Sequence, residues 1–288
     1  MKSVIVSLVL ALPIHYALGL KNLDKPRWKS FGDAQQECAE YLLISEDTID
    51  RYISSGYPDE SSVQTHIYCI LINLNSWNQT TLQINDYVFN RFFRTLPGDC
   101  IYKQRTEQCL AQQNLYSKFN VSIISRAYNS FMCYYQYYGI LSNEPQWVPF
   151  RVSEIHQVLV DSLRIIPHHR KRLLQYCQGF MLVPPEFPDL MYAFTVRLAF
   201  YNESTGFDLQ KLYAQFGMKE ILTEKTSDCI GRVTNKYCVE PARVVNTMQT
   251  CFSRLYLSLR KMVSSAASLV LGHPAECLIG PRFDLKTY

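Results

Sequence analysis

The sequence predicts an all-α fold in two tandem units stapled by disulfides. Three observations predict it: apolar residues recur at helical spacing through most of the 288 residues, the second half repeats the first, and ten cysteines follow an export-type leader. Alternating strand patterns bounded by Asn-Gly or Asp-Gly turns are missing. With 48% hydrophobic and 19% charged residues, the chain can fill two cores of ordinary size.

The leader comes first. Lys2, an apolar run over residues 4–12 and Ala17-Leu18-Gly19 read as a secretory signal over residues 1–19. The run is too short to span a bilayer, so stable membrane insertion is not expected. The formal net charge is +4, one unit of it from Lys2. That is too mild for a nucleic-acid partner, and the one dense basic stretch, His168-His169-Arg170-Lys171-Arg172, reads as a solvated helix start.

The repeat sets the domains. At a shift of 124, residues 38–92 fall on residues 162–216 without a gap, pairing Tyr52 with Tyr176, Leu74 with Leu198 and Phe92 with Phe216. Farther on, Cys100 and Cys109 match Cys229 and Cys238, spaced nine apart in both halves, and Cys133 matches Cys251. The units are placed at residues 20–140 and 153–288, the second with a C-terminal extension and with residues 141–152 as connector. Trp147, Val148 and Phe150 make that connector too apolar for a free linker.

Helices are expected over residues 33–43, from the Ser45 cap through Tyr52, over 63–74, 86–93 and 123–138, and as one long final helix over 242–271. The extra turns of that last helix are expected to cover the first unit.

All ten cysteines, at 38, 69, 100, 109, 133, 177, 229, 238, 251 and 277, are read as disulfide partners. A bridge from Cys38 to Cys69 would tie the first helix to the third and contribute about 3–4 kcal/mol. Cys133 has Cys100 or Cys109 to pair with, in what is taken for a loop, and Cys251 has Cys229 or Cys238. Five cysteines in each half leave either one bridge between the halves or one thiol over in each. No cysteine or histidine spacing suits a metal, and no cofactor is implied. Sequons stand at Asn78, Asn120 and Asn202.

The cysteine order resembles that of the insect odorant-binding proteins, six-helix folds with cysteines paired first–third, second–fifth and fourth–sixth. Cys38, Cys69 and Cys133 occupy the first, third and sixth places. The second and fifth fall at Thr65 and Ile124, so one whole bridge is absent; in the second unit Ser162 and Ala193 replace another. The strings Cys133-Tyr134-Tyr135-Gln136-Tyr137-Tyr138-Gly139 and Arg197-Leu198-Ala199-Phe200-Tyr201 are similar to the two-domain, atypical members of mosquitoes.

The resemblance implies two six-helix units and a secreted carrier, not an enzyme, whose partner is a small hydrophobic ligand of odorant or pheromone type. A chemosensory receptor complex is the further partner it allows. Salivary scavengers of host amines or lipid mediators, and a ligand-free secreted structural protein, are the alternatives; an amine site would need acidic groups facing a cavity. Candidate lining residues are Leu71, Ile72, Phe131, Tyr134 and Tyr138 in the first unit. Val196, Phe200, Phe252 and Tyr256 are their counterparts in the second. Trp77 and Tyr201, before matching sequons, are expected to pack the end of the third helix of each unit. No Gly-x-Ser-x-Gly, His-Glu-x-x-His or phosphate loop is present.

Overall fold

The computed structural model describes residues 27–116, 121–180, 186–275 and 277. The leader at residues 1–19 and the Asn120 sequon lie outside them. Helices dominate, and four disulfides fasten them.

Strand β1 (Trp28–Lys29) leads into α1 (Phe31–Leu42). Ser30 caps α1 by accepting from the Asp33 amide while the Asp33 carboxylate accepts from the Ser30 amide. Ser45 caps α2 (Glu46–Ser54), and α3 (Ser61–Asn73) buries Val63, Ile67, Ile70 and Leu71 on one broad face. Strands β2 (Trp77–Asn78) and β3 (Gln83–Ile84) pair as a short hairpin. Then come α4 (Asp86–Phe89), a 3-10 turn at Asn90–Phe92 and strand β4 (Phe93–Arg94). The helix expected over 86–93 is thus one turn long. Phe89 and Phe92 both turn into the core, and Phe93 pairs with Leu141 through its backbone. Helices α5 (Tyr102–Tyr116) and α6 (Ile123–Tyr137) close this half.

The connector follows. Strand β5 (Ile140–Leu141) pairs with β4, and β6 (Gln146–Trp147) pairs with β1. Helices α7 (Val152–Ile165), α8 (Arg170–Cys177) and α9 (Glu186–Arg197) then repeat the order of α1, α2 and α3 at the shift of 124. His169 takes the N-cap position of α8 without a side-chain capping bond, so the basic cluster does open a helix. Strands β7 (Tyr201–Asn202) and β8 (Gly206–Phe207) form a second short hairpin, ahead of α10 (Leu209–Phe216). After a 3-10 turn at Lys219–Leu222 come α11 (Glu224–Lys236), α12 (Glu240–Cys251) and α13 (Ser253–Val270).

The long final helix expected over 242–271 is therefore two helices. Phe252 leaves helical geometry (φ −121°, ψ 42°) and buries its ring against Phe207, with centroids 5.2 Å apart. Cys251 is held by Cys229 on α11. Neither Gly nor Pro marks the break. Nor does the extra helix cover the first half: α13 packs on α7 and α8 of its own half, burying Leu255, Leu259, Val263 and Ala266 there.

Two apolar clusters result. One gathers Phe31, Ile67, Phe89, Phe131 and Tyr134; the other gathers Leu159, Tyr176, Phe194, Val244 and Leu259. Neighbouring connector residues are split between them, with Trp147 in the second and Val148 in the first. The connector is a packed joint. Gly217, at φ +67°, ends α10 in a left-handed turn, and a Cβ there would come within 2.7 Å of the Tyr87 ring on α4. Glycine thus serves both the turn and the close approach of the halves.

The disulfides are Cys38–Cys69, Cys109–Cys133, Cys177–Cys277 and Cys229–Cys251. Cys100 and Cys238 are exposed free thiols, which corrects their assignment as disulfide partners. The physical reason is helix register. Cys109 sits in mid-α5 and Cys229 in mid-α11, each beside the helix that carries its partner. Cys100 precedes α5 and Cys238 lies between α11 and α12. Cys109 is therefore the counterpart of Cys229, and the nine-residue spacing shared by the two halves does not align them. One thiol remains in each half, as the odd count allows.

Candidate ligand-binding site

The joint builds the largest of the described clefts. Its floor is the connector backbone, held from both sides. From the first half, Asn75 Nδ2 donates to the Pro149 and Phe150 carbonyls at 3.3 and 3.2 Å. From the second, Gln215 Oε1 accepts from the Phe150 amide at 2.8 Å, and Gln215 Nε2 donates to the Phe150 carbonyl at 2.9 Å. Arg91 donates to the Trp147 carbonyl at 3.0 Å. Buried backbone polar groups need such partners, and here they also set the angle between the halves.

Side chains complete the joint. Trp147, Phe150, Phe200 and Phe216 form a chain of edge-on and tilted rings with centroids 5.7–6.2 Å apart. Arg27 lies over the Phe150 ring at 4.0 Å and pairs with Glu154 at 2.6 Å. Burial acts to raise the Glu154 pKa, but the hydrogen bonds from Arg27 and from the Arg151 amide outweigh it, and the pKa is lowered.

Between the halves this leaves a cleft of about 740 Å³. Its apolar wall includes Ile72, Trp77, Val88, Phe150, Phe216 and Met218; Arg151 and Arg254 are its charged residues. Across Ile72 a second groove of about 580 Å³ runs over α1 and α3. That groove is internally compensated: Lys29 binds Glu37 at 2.6 Å and Asn73 at 3.0 Å, and Arg27 binds Glu154. A third, of about 640 Å³, lies around Val196, Phe200, Asn202 and Lys211.

The nine residues chosen from sequence fall in different places. Ile72 lines both the cleft and the groove beside it. Val196 is exposed on the third groove, and Phe200 joins that groove to the ring cluster of the joint. Leu71, Phe131, Tyr134 and Tyr138 are inside the first core. There Phe131 stacks on Phe31 at 5.8 Å, and Tyr134 meets Phe89 edge-on at 5.1 Å. Tyr134 donates to Asp86 at 2.9 Å; burial, and then the Asp86 charge, push its hydroxyl pKa up. Phe252 and Tyr256 are inside the second core. The three grooves described are lined by other residues than these six. Trp77 and Tyr201 are buried beside the helix ends, meeting Tyr68 and Tyr192 edge-on at 6.3 and 6.2 Å. Trp77 also lines the cleft.

Sequence reading missed Arg151, Gln215, Phe216 and Met218. They are far apart in sequence from Trp77 and Val88, and no motif joins them. Asn78 Oδ1 accepts from the Thr80 and Thr81 amides, and Asn202 Oδ1 from Ser204, so these two sequons adopt similar turns.

Residues 21–137 match the PBP/GOBP family. General odorant-binding protein 69 of Anopheles gambiae is 25% identical over 146 residues, covering 48% of this chain and 63% of that relative, less than two thirds of its length. No solved structure matches. Among the described residues no helix is long and apolar enough to cross a membrane.

Proposed function

From the match of residues 21–137 to the PBP/GOBP family we propose that the chain is an insect odorant-binding-type protein, a secreted carrier which reversibly binds small apolar molecules. The relative's name, general odorant-binding protein, supports an odorant-type ligand; delivery to a chemosensory receptor complex is the use such a carrier would serve. Two tandem units of common ancestry are part of the proposal. The repeated order of helices and hairpins, the separate cores, and the bridges Cys109–Cys133 and Cys229–Cys251 at matching places support it.

The observation that carries the ligand reading is the cleft between the halves. Its 740 Å³ falls within the usual range of small-molecule sites, and it lies at a junction of units where such sites concentrate. A ligand inside the first core would instead have to part the Phe31, Phe131 and Tyr135 stack.

Titration of the whole chain with the neutral probe N-phenyl-1-naphthylamine tests this. Saturable fluorescence enhancement is expected, weakened by Met218→Asp on the cleft wall. A chain that gives no enhancement is not an apolar carrier. Loss through Phe131→Leu with none through Met218→Asp would place the ligand in the first core.

A further inference from the structure

Resting on the carrier reading, we propose that the cleft between the halves selects an amphipathic anion, with a carboxylate head at Arg151 and an apolar chain along Trp77, Phe150, Phe216 and Met218. The cleft's lining contains two arginines and no Asp or Glu. Arg151 stands where the cleft meets the compensated groove. Glu154, the acid nearest in sequence, is already engaged: one oxygen binds Arg27 at 2.6 Å and the other accepts from the Arg151 backbone amide at 2.6 Å. The Arg151 guanidinium forms no ion pair within 4 Å among the described residues; the Glu154 charge acts on it only from beyond that distance. Arg254 has only Glu220, at 3.8 Å and largely exposed.

Gln215 uses both ends of its amide to hold the connector, and Asn75 uses its Nδ2 for the same task. Trp77 is buried and contributes apolar ring surface to the wall. The charge lining the cleft is therefore wholly positive. A planar guanidinium meets a carboxylate through two parallel hydrogen bonds, stronger than neutral ones. An amine would face two cations with no acid in the lining. The apolar wall is longer than one polar head needs, which asks for a chain as well as a charge.

Displacement of N-phenyl-1-naphthylamine from the whole chain by dodecanoate, dodecanol and dodecylamine, all kept below micelle formation, tests this. Dodecanoate should displace the probe at about tenfold lower concentration than dodecanol, as a charge-assisted pair implies, with the amine weakest. Arg151→Gln should close the gap between acid and alcohol, and Arg151→Glu should favour the amine. Arg151 is exposed, so unchanged circular dichroism is expected of both variants. Equal displacement by acid and alcohol overturns the anion assignment while leaving a carrier. A preference untouched by Arg151→Gln and Arg254→Gln overturns the placement. A native chain that binds neither probe nor amphiphile overturns the carrier reading, and this proposal with it.

Discussion

The two halves brace their first helix by different means. In the first, Cys38–Cys69 joins α1 to α3 directly. In the second, Ser162 and Ala193 stand at the matching places. The Ser162 hydroxyl accepts weakly from Arg197 at 3.4 Å, and Arg197 reaches Asp161 at 3.4 Å. The second half has an added helix instead: α13 lies on α7 and α8, its first and second helices, and Cys177–Cys277 pins the chain beyond it back to α8. Ser264 donates to the Cys177 carbonyl at 2.7 Å and Arg260 to the Gly179 carbonyl at 2.8 Å. A short covalent tie thus braces the first helix against the third in one half, and a packed helix held by a long tie braces the first against the second in the other.

The disulfides offer the largest test. Loop-closure entropy grows with the separation bridged, 100 residues for Cys177–Cys277 and 31 for Cys38–Cys69. Replacing both cysteines by Ala should cost about 5 kcal/mol for the longer closure and about 4 for the shorter in denaturant unfolding. A loss below about 1 kcal/mol for the longer one would mean that α13 holds the second half by packing alone.

Leu259, buried on α13, sharpens the same point. Leu259→Ala should destabilise the protein by about 3 kcal/mol through the cavity it leaves. An effect near zero would show that α13 is dispensable, and the comparison between the halves would fail.

Acid should loosen both halves. Burial lowers the pKa of His66 in the first, against a raising hydrogen bond to the Gln35 carbonyl, and burial lowers that of His156 in the second. The unfolded chain therefore takes up protons near pH 6.5 that the folded one resists. Stability is full above 6.5 and falls as pH drops toward the lowered folded values, at no more than about 1.4 kcal/mol per pH unit for each histidine. Glu37 and Glu154, lowered from 4.5, lose their contributions only at and below that pH, so the window above it belongs to the histidines. Unfolding curves at pH 7 and pH 5 should separate, and His66→Asn and His156→Asn should each narrow the gap. An unchanged gap in both variants would assign the effect elsewhere.

The smallest expected effect concerns the free thiols. Alkylation of the unreduced chain should add two labels, at Cys100 and Cys238, and Cys→Ser at either should shift stability by less than about 0.5 kcal/mol. Mass analysis showing no label would mean a fifth bridge.

Much of the helical fold was legible because its signals are local. Ser45, read as a cap, accepts from the Thr48 amide and marks where α2 begins. Apolar spacing on α3 showed which face turns inward, and placing Cys38 and Cys69 on separate helices allowed the bridge that joins them. The break at Phe252 was not legible, since no residue type marks it; a buried ring and a neighbouring disulfide impose it. Which of Cys100 and Cys109 pairs with Cys133 depended on the register of α5 against α6, a relation between surfaces that spacing alone does not carry. The cleft is the clearest case. The sequence by itself determined that Trp147, Val148 and Phe150 would not lie in water. Only the tertiary structure decided that Trp147 and Val148 enter opposite cores and that Trp77, Arg151, Phe216 and Met218 meet across the joint. Burial is favoured for any apolar side chain, but which partners share it depends on how the two halves pack.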